Sequence, residues 1–257
     1  MRVALALLGA ARGEPLTIPM LIGAAEVLRL SPNAMRVALS RLTTRGEVTA
    51  KRRGAYALSS AQRLEAFAHV RRYRTGFAAR VAWRGDFLGV LTADLPRRNA
   101  TLVRRRTQAL DLGGFRALTH GLYARPNNLA GGRDAMAAHL TRLGLDADAA
   151  LVGLTLDERE RATLERSYRV AIDQRKARAL TGKVHTLLPV MRRRPPREVA
   201  ATSFWLGDEV LRFLARDPLL PERLADPTPR AKLADAMSTL DEEGTRVWRT
   251  LLEALDR

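Results

Sequence analysis

The fold is decided by residues 31–58, which read SPNAMRVALSRLTTRGEVTAKRRGAYAL. Ser31 followed by Pro32 is typical of a helix start, because the hydroxyl caps free N–H groups and the ring suits the first turn. Apolar residues then recur at helical spacing, and Gly46 suits the position just past a helix end. These apolar residues predict one buried stripe, made of Met35, Ala38, Leu39 and Leu42.

The opposite face of this predicted helix is mostly polar and cationic. It carries Asn33, Arg36, Val37, Ser40, Arg41 and Thr44. A helix fits the major groove of B-DNA, where side chains of these types reach base edges and phosphates. Two short β-prone runs follow, around a basic turn that contains Lys51, Arg52 and Arg53. They predict a hairpin whose tip contacts phosphates or the minor groove.

The residues before this stretch complete a small domain. An apolar segment around Leu5 and Leu8 stops at Arg12-Gly13-Glu14, and Pro19 suits the first turn of a second helix. The order helix, helix, capped helix and hairpin predicts a winged helix-turn-helix domain. The first residues also mimic a short signal peptide, but they continue as an amphipathic pattern, so we expect a buried first helix instead.

Composition narrows the possible classes of protein. The chain has 257 residues, of which 46% are hydrophobic, so it can build packed cores. It has no cysteine and only four histidines, which lack ligand spacing, so we expect no metal site and no cofactor. No apolar run approaches the ~20 residues that cross a bilayer. We therefore expect a cytoplasmic protein without a membrane partner.

The charge points to a polyanion. The chain contains 44 Lys and Arg residues and 27 Asp and Glu residues, which gives a net charge of +17. The excess of basic residues is largest in residues 1–75, which contain 13 basic and four acidic residues. Nucleic acid is the usual partner of such a chain. The alternative is that the excess reflects genome composition, because only four of the 44 basic residues are lysines.

The remaining sequence predicts two further regions, giving an α+β fold overall. Residues 1–60 are the winged helix-turn-helix domain, and residues 61–82 form a helical connector. Residues 83–156 follow a βαββαβ order, which predicts a ferredoxin-like domain. Residues 157–257 predict a helical C-terminal domain, with helices over about 157–180, 184–191, 198–216 and 230–255.

Three segments resemble the phenylacetic-acid degradation repressor family (PaaX-type regulators). They are Met35–Leu42 with its basic hairpin, GFRALTHGLYARP at residues 114–126, and LRFLARDPLLP at residues 211–221. The resemblance implies the three domains above and a homodimeric repressor. It also implies release from DNA by a small molecule, which is an aryl-acyl-CoA in the best-known branch of the family.

The expected function is therefore that of a DNA-binding transcriptional regulator, not an enzyme. Two copies would bind an inverted-repeat operator in double-stranded DNA, with recognition helices ~34 Å apart. An acyl-CoA effector would need basic residues for its phosphates and an apolar slot. Candidate linings are Trp83, Arg84, Arg125, Tyr168, Arg169 and Trp205, together with Arg175. The alternative for each is a structural aromatic residue or a solvated arginine.

Two other functions remain open at this stage. Asp94 follows a predicted strand, where a carboxylate could hold Mg²⁺ in a metal-dependent nuclease. The ferredoxin-like domain could instead bind RNA, although aromatic residues for base stacking are few.

Overall fold

A computed structural model describes residues 2–11, 13–52, 54–60, 79–171 and 173–255, and for residues 2, 52, 170 and 171 it describes the backbone alone. The chain is a mixed α and β protein with two small antiparallel sheets and a helical C-terminal region. It divides into two compact units. Unit 1 takes the described residues of 1–71, 180–210 and 235–257, and unit 2 those of 72–179 and 211–234.

The N-terminal part of unit 1 alternates helices with short strands. Its elements are α1 (Arg2–Ala10), β1 (Leu16–Thr17), α2 (Ile18–Val27), α3 (Pro32–Thr44), β2 (Val48–Arg52) and β3 (Ala55–Leu58). The three strands form an antiparallel sheet in the order β1-β3-β2. The connector expected at residues 61–82 lies mostly outside the described residues.

Helix α3 begins and ends as its sequence predicts. The Ser31 hydroxyl accepts a hydrogen bond from the Ala34 N–H at 3.1 Å, and Pro32 is the first helical residue. At the other end Gly46 has φ +68°, and the Glu47 N–H donates to the Leu42 carbonyl oxygen at 3.0 Å. This left-handed glycine closes the helix, because it lets the chain turn back onto the last carbonyl groups.

The hairpin after α3 pairs as expected from its pattern. Val48 lies opposite Leu58 and Ala50 opposite Tyr56 in the antiparallel register. Gly54 has φ +76°, which the tight turn requires, and its carbonyl oxygen accepts the Ile18 N–H at 2.9 Å. That bond ties the turn to the start of α2, so the hairpin is anchored to the helices.

Unit 2 contains a four-stranded antiparallel sheet in the order β5-β6-β4-β7. Its elements follow the predicted βαββαβ order: β4 (Phe87–Leu91), α4 (Ala100–Leu112), β5 (Arg116–Thr119), β6 (Leu122–Pro126), α5 (Gly132–Leu143) and β7 (Ala150–Leu154). One core of this unit joins sheet residues Leu88 and Val90 to helix residues Leu110, Met136 and Leu140.

Four helices make up the C-terminal hundred residues: α6 (Glu158–Ala171), α7 (Gln174–Arg193), α8 (Pro196–Ala215) and α9 (Thr228–Leu255). Helix α6 covers the second face of the four-stranded sheet, where Leu164 and Tyr168 pack with Phe87 and Ala124. Helices α7, α8 and α9 each contribute residues to both units. No helix in the described ranges is long and apolar enough to cross a membrane.

One predicted helix boundary was wrong. The sequence predicted a helix to about residue 180 and another from 184, whereas α6 ends at Ala171 and α7 runs unbroken from Gln174. The Asp173 carboxylate accepts the Lys176 N–H at 2.8 Å and so caps the new helix. Leu180 and Val184 are both buried, and this packing carries α7 through Gly182.

Candidate nucleic-acid interface

The outer face of α3 is open to solvent. All six side chains that the sequence assigned to it are exposed. The predicted stripe on the other side is buried, with Met35 and Leu39 each at 3% exposure. Val37 is 41% exposed and gives the face a methyl-bearing surface near its centre. Thymine methyl groups are contacted by surfaces of this kind.

The two arginines of this face differ in ion pairing from the arginine at the end of the helix. Within the described residues, neither Arg36 nor Arg41 lies within 4.0 Å of a carboxylate oxygen, whereas Arg45 at the helix end pairs with Glu47 at 3.8 Å. The Thr44 hydroxyl donates to the Ser40 carbonyl oxygen at 3.1 Å. No carboxylate in the described part of the chain engages these arginines, and the forked geometry of guanidinium suits guanine or phosphate.

Among the described residues, the hairpin adds one cationic side chain to the candidate interface. Lys51 is exposed on β2, and the backbone of Arg52 pairs with Ala55. The side chain of Arg52 and all of Arg53, which the sequence assigned to the same tip, lie outside the described residues. An ammonium group on a strand next to a turn can reach a phosphate without fixed geometry.

Arg125, expected to line an effector site, lies in the core of unit 2 with 0% exposure. Its guanidinium group donates to the carbonyl oxygens of Gly113, Pro126 and Pro218 and to the Asn128 side chain. Burial lowers its pKa to about 10, so the group stays charged at neutral pH. This corrects the assignment: the donors of Arg125 hold the fold together and do not face an opening.

Tyr168 is also a core residue, with 1% exposure. Its hydroxyl lies 2.8 Å from the Gly114 carbonyl oxygen and 3.2 Å from that of Ala124, and burial raises its pKa above the usual range. Its expected role as an effector contact is corrected in the same way, because its polar group is already satisfied by backbone.

The remaining candidate effector residues lie in different places. Trp83 is half-buried, donates its indole N–H to the Asp86 carbonyl oxygen at 2.6 Å and meets the Phe87 ring edge-on at 5.2 Å. Arg84, next to it, is exposed. Trp205 is 38% exposed on the part of α8 that belongs to unit 1. These residues are therefore divided between the two units.

Arg169 and Arg175 do come together. They line an open groove of about 530 Å³ in unit 2, between the end of α6, the start of α7 and the segment after Pro221. Asp173, Gln174, Arg178, Leu224 and Ala225 complete the lining. The sequence did not single out Arg178, because the boundary between α6 and α7 was predicted in the wrong place.

The metal-site hypothesis gains no support from the described part of the chain, in which no three His, Asp or Glu residues are grouped as metal ligands. Asp94 is an exposed residue of the turn after β4. The buried aromatic rings of Phe87 and Tyr168 lie between the sheet and α6, so neither offers a stacking surface to a base.

Comparison with known proteins supports the fold alone. No family model matches the sequence, and no curated protein is similar to it. Among solved structures, the uncharacterized protein Rv0674 from Mycobacterium tuberculosis is similar, with a TM-score of 0.57 and 18% sequence identity. The similarity covers 100% of this chain and 98% of that one, so the two share an overall fold.

Proposed function

We propose that this protein is a DNA-binding transcriptional regulator whose reading element is α3. The observation that carries the proposal is the exposed outer face of α3, whose two arginines form no ion pair within the described residues, followed at once by a hairpin that bears Lys51. Among the described residues this face is exposed, whereas the opposite side of the helix supplies the core. Its chemistry is that of a helix that enters the major groove.

The order of elements supports the proposal further. In α1-β1-α2-α3-β2-β3, the helix pair α2-α3 precedes a two-stranded hairpin completed by β1, an order that favours a winged helix-turn-helix. In such a domain the second helix of the pair reads bases and the hairpin contacts the backbone. The sheet order and helix placement of unit 2 likewise favour a ferredoxin-like domain.

The regulator is proposed to act as a homodimer in the cytoplasm. Two copies of α3 about 34 Å apart would read an inverted repeat, one half-site each. The resemblance to PaaX-type regulators favours a repressor that a small molecule, such as an aryl-acyl-CoA, releases from DNA. Release requires that the effector bind one conformation of the dimer more tightly than the other.

The proposal is tested by fluorescence anisotropy on the full chain, with labelled duplexes from the DNA upstream of its own gene. We expect at least one duplex with an inverted repeat to bind about 10³-fold more tightly than a scrambled duplex of equal length. The Arg36→Ala/Arg41→Ala double variant should lose this preference. The proposal is contradicted if no inverted-repeat duplex exceeds the scrambled one.

A control variant that loses the same amount of positive charge tests whether the effect is specific to α3. The Arg142→Ala/Arg159→Ala double variant removes two exposed arginines of α5 and α6 and leaves α3 intact. It should retain the preference for the inverted repeat. Equal losses in the two double variants would mean that binding follows total charge and not the face of α3.

A further inference from the structure

Helices α7 and α8 form an antiparallel hairpin with an ion pair at each end. At the end far from the turn, the Lys183 Nζ lies 3.6 Å from a Glu209 carboxylate oxygen. Beside the turn, the Arg194 Nη1 lies 3.8 Å from a Glu198 carboxylate oxygen. Residues 183–209 all belong to unit 1, so the face that carries these pairs lies within one compact body.

Between the two ion pairs, two large apolar side chains are open to solvent. Val190 on α7 is 42% exposed, and Trp205 on α8 is 38% exposed. The Trp205 ring meets the Phe204 ring edge-on at 5.2 Å, a contact that restricts its motion before any partner binds. The opposite sides of the two helices supply buried residues, among them Val184, Met191, Val199 and Val210.

The charged and apolar residues of this face form two rows with the same spacing. The α7 row is Lys183, Val190 and Arg194, and the α8 row is Glu198, Trp205 and Glu209. Steps of seven and eleven residues are close to two and three helical turns, so each row stays on one face within about 40°. The Arg194 N–H donates to the Val190 carbonyl oxygen at 3.0 Å, so the helical path reaches Arg194.

The positions along the rows are related by a two-fold rotation. With a rise of 1.5 Å per residue, each row is about 16.5 Å long. From the end that carries Lys183 and Glu209, Val190 lies about 10.5 Å along its row and Trp205 about 6 Å along its own. Those two distances add up to the row length. A rotation by 180° about the centre of the face therefore brings Val190 onto the partner's Trp205.

The same rotation matches the charges. It brings Lys183 opposite the partner's Glu198, and Arg194 opposite the partner's Glu209. The Lys183 and Arg194 side chains are 59% and 66% exposed, so both can reach a second molecule. A two-fold interface requires a surface that is complementary to itself, and this face meets that condition in both charge and apolar contacts.

We propose that this face of α7 and α8 is the surface through which two copies of the chain form a two-fold dimer. Val190 and Trp205 form its apolar centre, and the four charged residues form its polar rim. The proposal rests on the proposed function for the homodimer and gives that homodimer its contact surface. The two rows span a small area, which is typical of weak interfaces, so we expect the dimer to dissociate on dilution.

The direct test is analytical ultracentrifugation of the full chain without DNA, over micromolar concentrations. We expect a reversible equilibrium between monomer and dimer. The Lys183→Glu/Arg194→Glu variant places acidic groups opposite the partner's Glu198 and the partner's Glu209. It should dimerise at least about a hundredfold more weakly, because like charges across an interface are strongly unfavourable. The Glu198→Lys/Glu209→Lys variant should lose the dimer for the same reason.

Mixing the two variants distinguishes an interface from a loss of folding. In a mixed dimer the acidic rows of one variant face the basic rows of the other, so an equal mixture should form heterodimers. The quadruple variant that carries all four changes should dimerise with itself, because every contact is then reversed in sign. All four side chains are at least 37% exposed, so each variant should keep the circular dichroism spectrum of the unmodified protein.

The Arg142→Glu/Arg159→Glu variant is the matched control, because it makes the same change in net charge at exposed residues of α5 and α6. It should dimerise within about twofold of the unmodified protein, since distant surface charges are screened. The proposal is overturned if the chain is monomeric at all concentrations, if the control weakens the dimer equally, or if mixing restores no dimer.

Binding to DNA is measured separately, so that the two proposals can fail independently. Compared with the control, the two double variants should lose most of the preference for an inverted repeat over a single half-site. A dimer that depends on these four residues, in a chain without any duplex preference, would refute the regulator and leave the interface standing. A duplex preference, with a dimer that both double variants retain, would refute the interface alone.

Discussion

The arginines of α3 and the arginines in the core of unit 2 have opposite environments. Arg36 and Arg41 are exposed, and the described residues offer them no carboxylate. Arg125 is fully buried and spends its donors on backbone carbonyl groups and one side chain. Arg106 is buried as well and is paired with Asp146. The same residue type is therefore exposed to solvent in one region and serves as a structural brace in the other.

This difference shows how a net charge of +17 should be understood. A formal charge counts every arginine, whereas a polyanion can contact only those that solvent can reach. A buried arginine such as Arg125 is committed to the fold, because it satisfies several acceptors that would otherwise lack a hydrogen bond. The net charge therefore indicates a partner only after the exposed arginines have been distinguished from those that bind acceptors inside the fold.

The largest effect is expected from Arg125→Met. It removes a buried cation and leaves the carbonyl oxygens of Gly113 and Pro218 without this donor. Leaving buried acceptors of this kind unsatisfied costs about 1–3 kcal/mol of unfolding free energy for each group, and several are affected here. Urea denaturation followed by circular dichroism measures it, with Arg142→Met as the exposed control. A loss as small as that of the control would remove the distinction between the two regions.

A smaller effect is expected from Asp146→Asn. The hydrogen bond from Arg106 lowers the pKa of Asp146 below its ordinary value, so the pair stabilises the fold at pH values above the ordinary pKa. The variant should lose about 1.5–3 kcal/mol near neutral pH. The difference from the unmodified protein should disappear as pH falls through the lowered pKa. Denaturation between pH 7 and pH 2 checks both the size and this trend, and a difference that persists in acid contradicts the assignment.

The third prediction sharpens the comparison from the exposed side. Arg36→Ala or Arg41→Ala alone should weaken binding to the inverted repeat by about 1–3 kcal/mol, if each forms a forked contact with guanine. The free energy of unfolding should change by no more than about 0.5 kcal/mol, since both residues are exposed. Anisotropy titrations and urea denaturation of the same samples measure the two quantities. If either variant lost as much unfolding free energy as Arg125→Met, these arginines would be structural residues like Arg125.

The smallest effect is expected from Lys51→Ala. A lysine that contacts one phosphate contributes about 0.9 to the slope of log affinity against log salt concentration, and it does not read sequence. The variant should therefore bind all duplexes slightly less tightly and show a slope shallower by about that amount. Titrations at several salt concentrations measure it. An unchanged slope would exclude Lys51 from the interface.

Local sequence was enough to predict α3 and its surroundings. The helix start at Ser31, the glycine at position 46 and the buried stripe depend on neighbours within a few residues, and all were observed. The βαββαβ order of unit 2 was also predictable, because strands and helices there have distinct periods and clear turns. The exposed residues of the candidate interface followed from the same periodicity.

Predictions failed where distant residues decide the outcome. The break between α6 and α7 has no proline or glycine to mark it, so the pattern favoured one long helix up to residue 180. The burial of Arg125 depends on carbonyl groups from Pro218, 93 positions away in the sequence. The groove could not be foreseen either, because its lining joins α6 and α7 to residues 224 and 225.

The sequence by itself determined which face of α3 is polar, where the helix is capped, and the order of strands and helices that follows. These features depend on the helical and strand periods and on short-range capping, which operate within a few residues. Only the tertiary structure decided which arginines remain available to a ligand. That choice depends on which backbone carbonyl groups and carboxylates the folded chain brings within hydrogen-bonding reach, and sequence separation does not limit it.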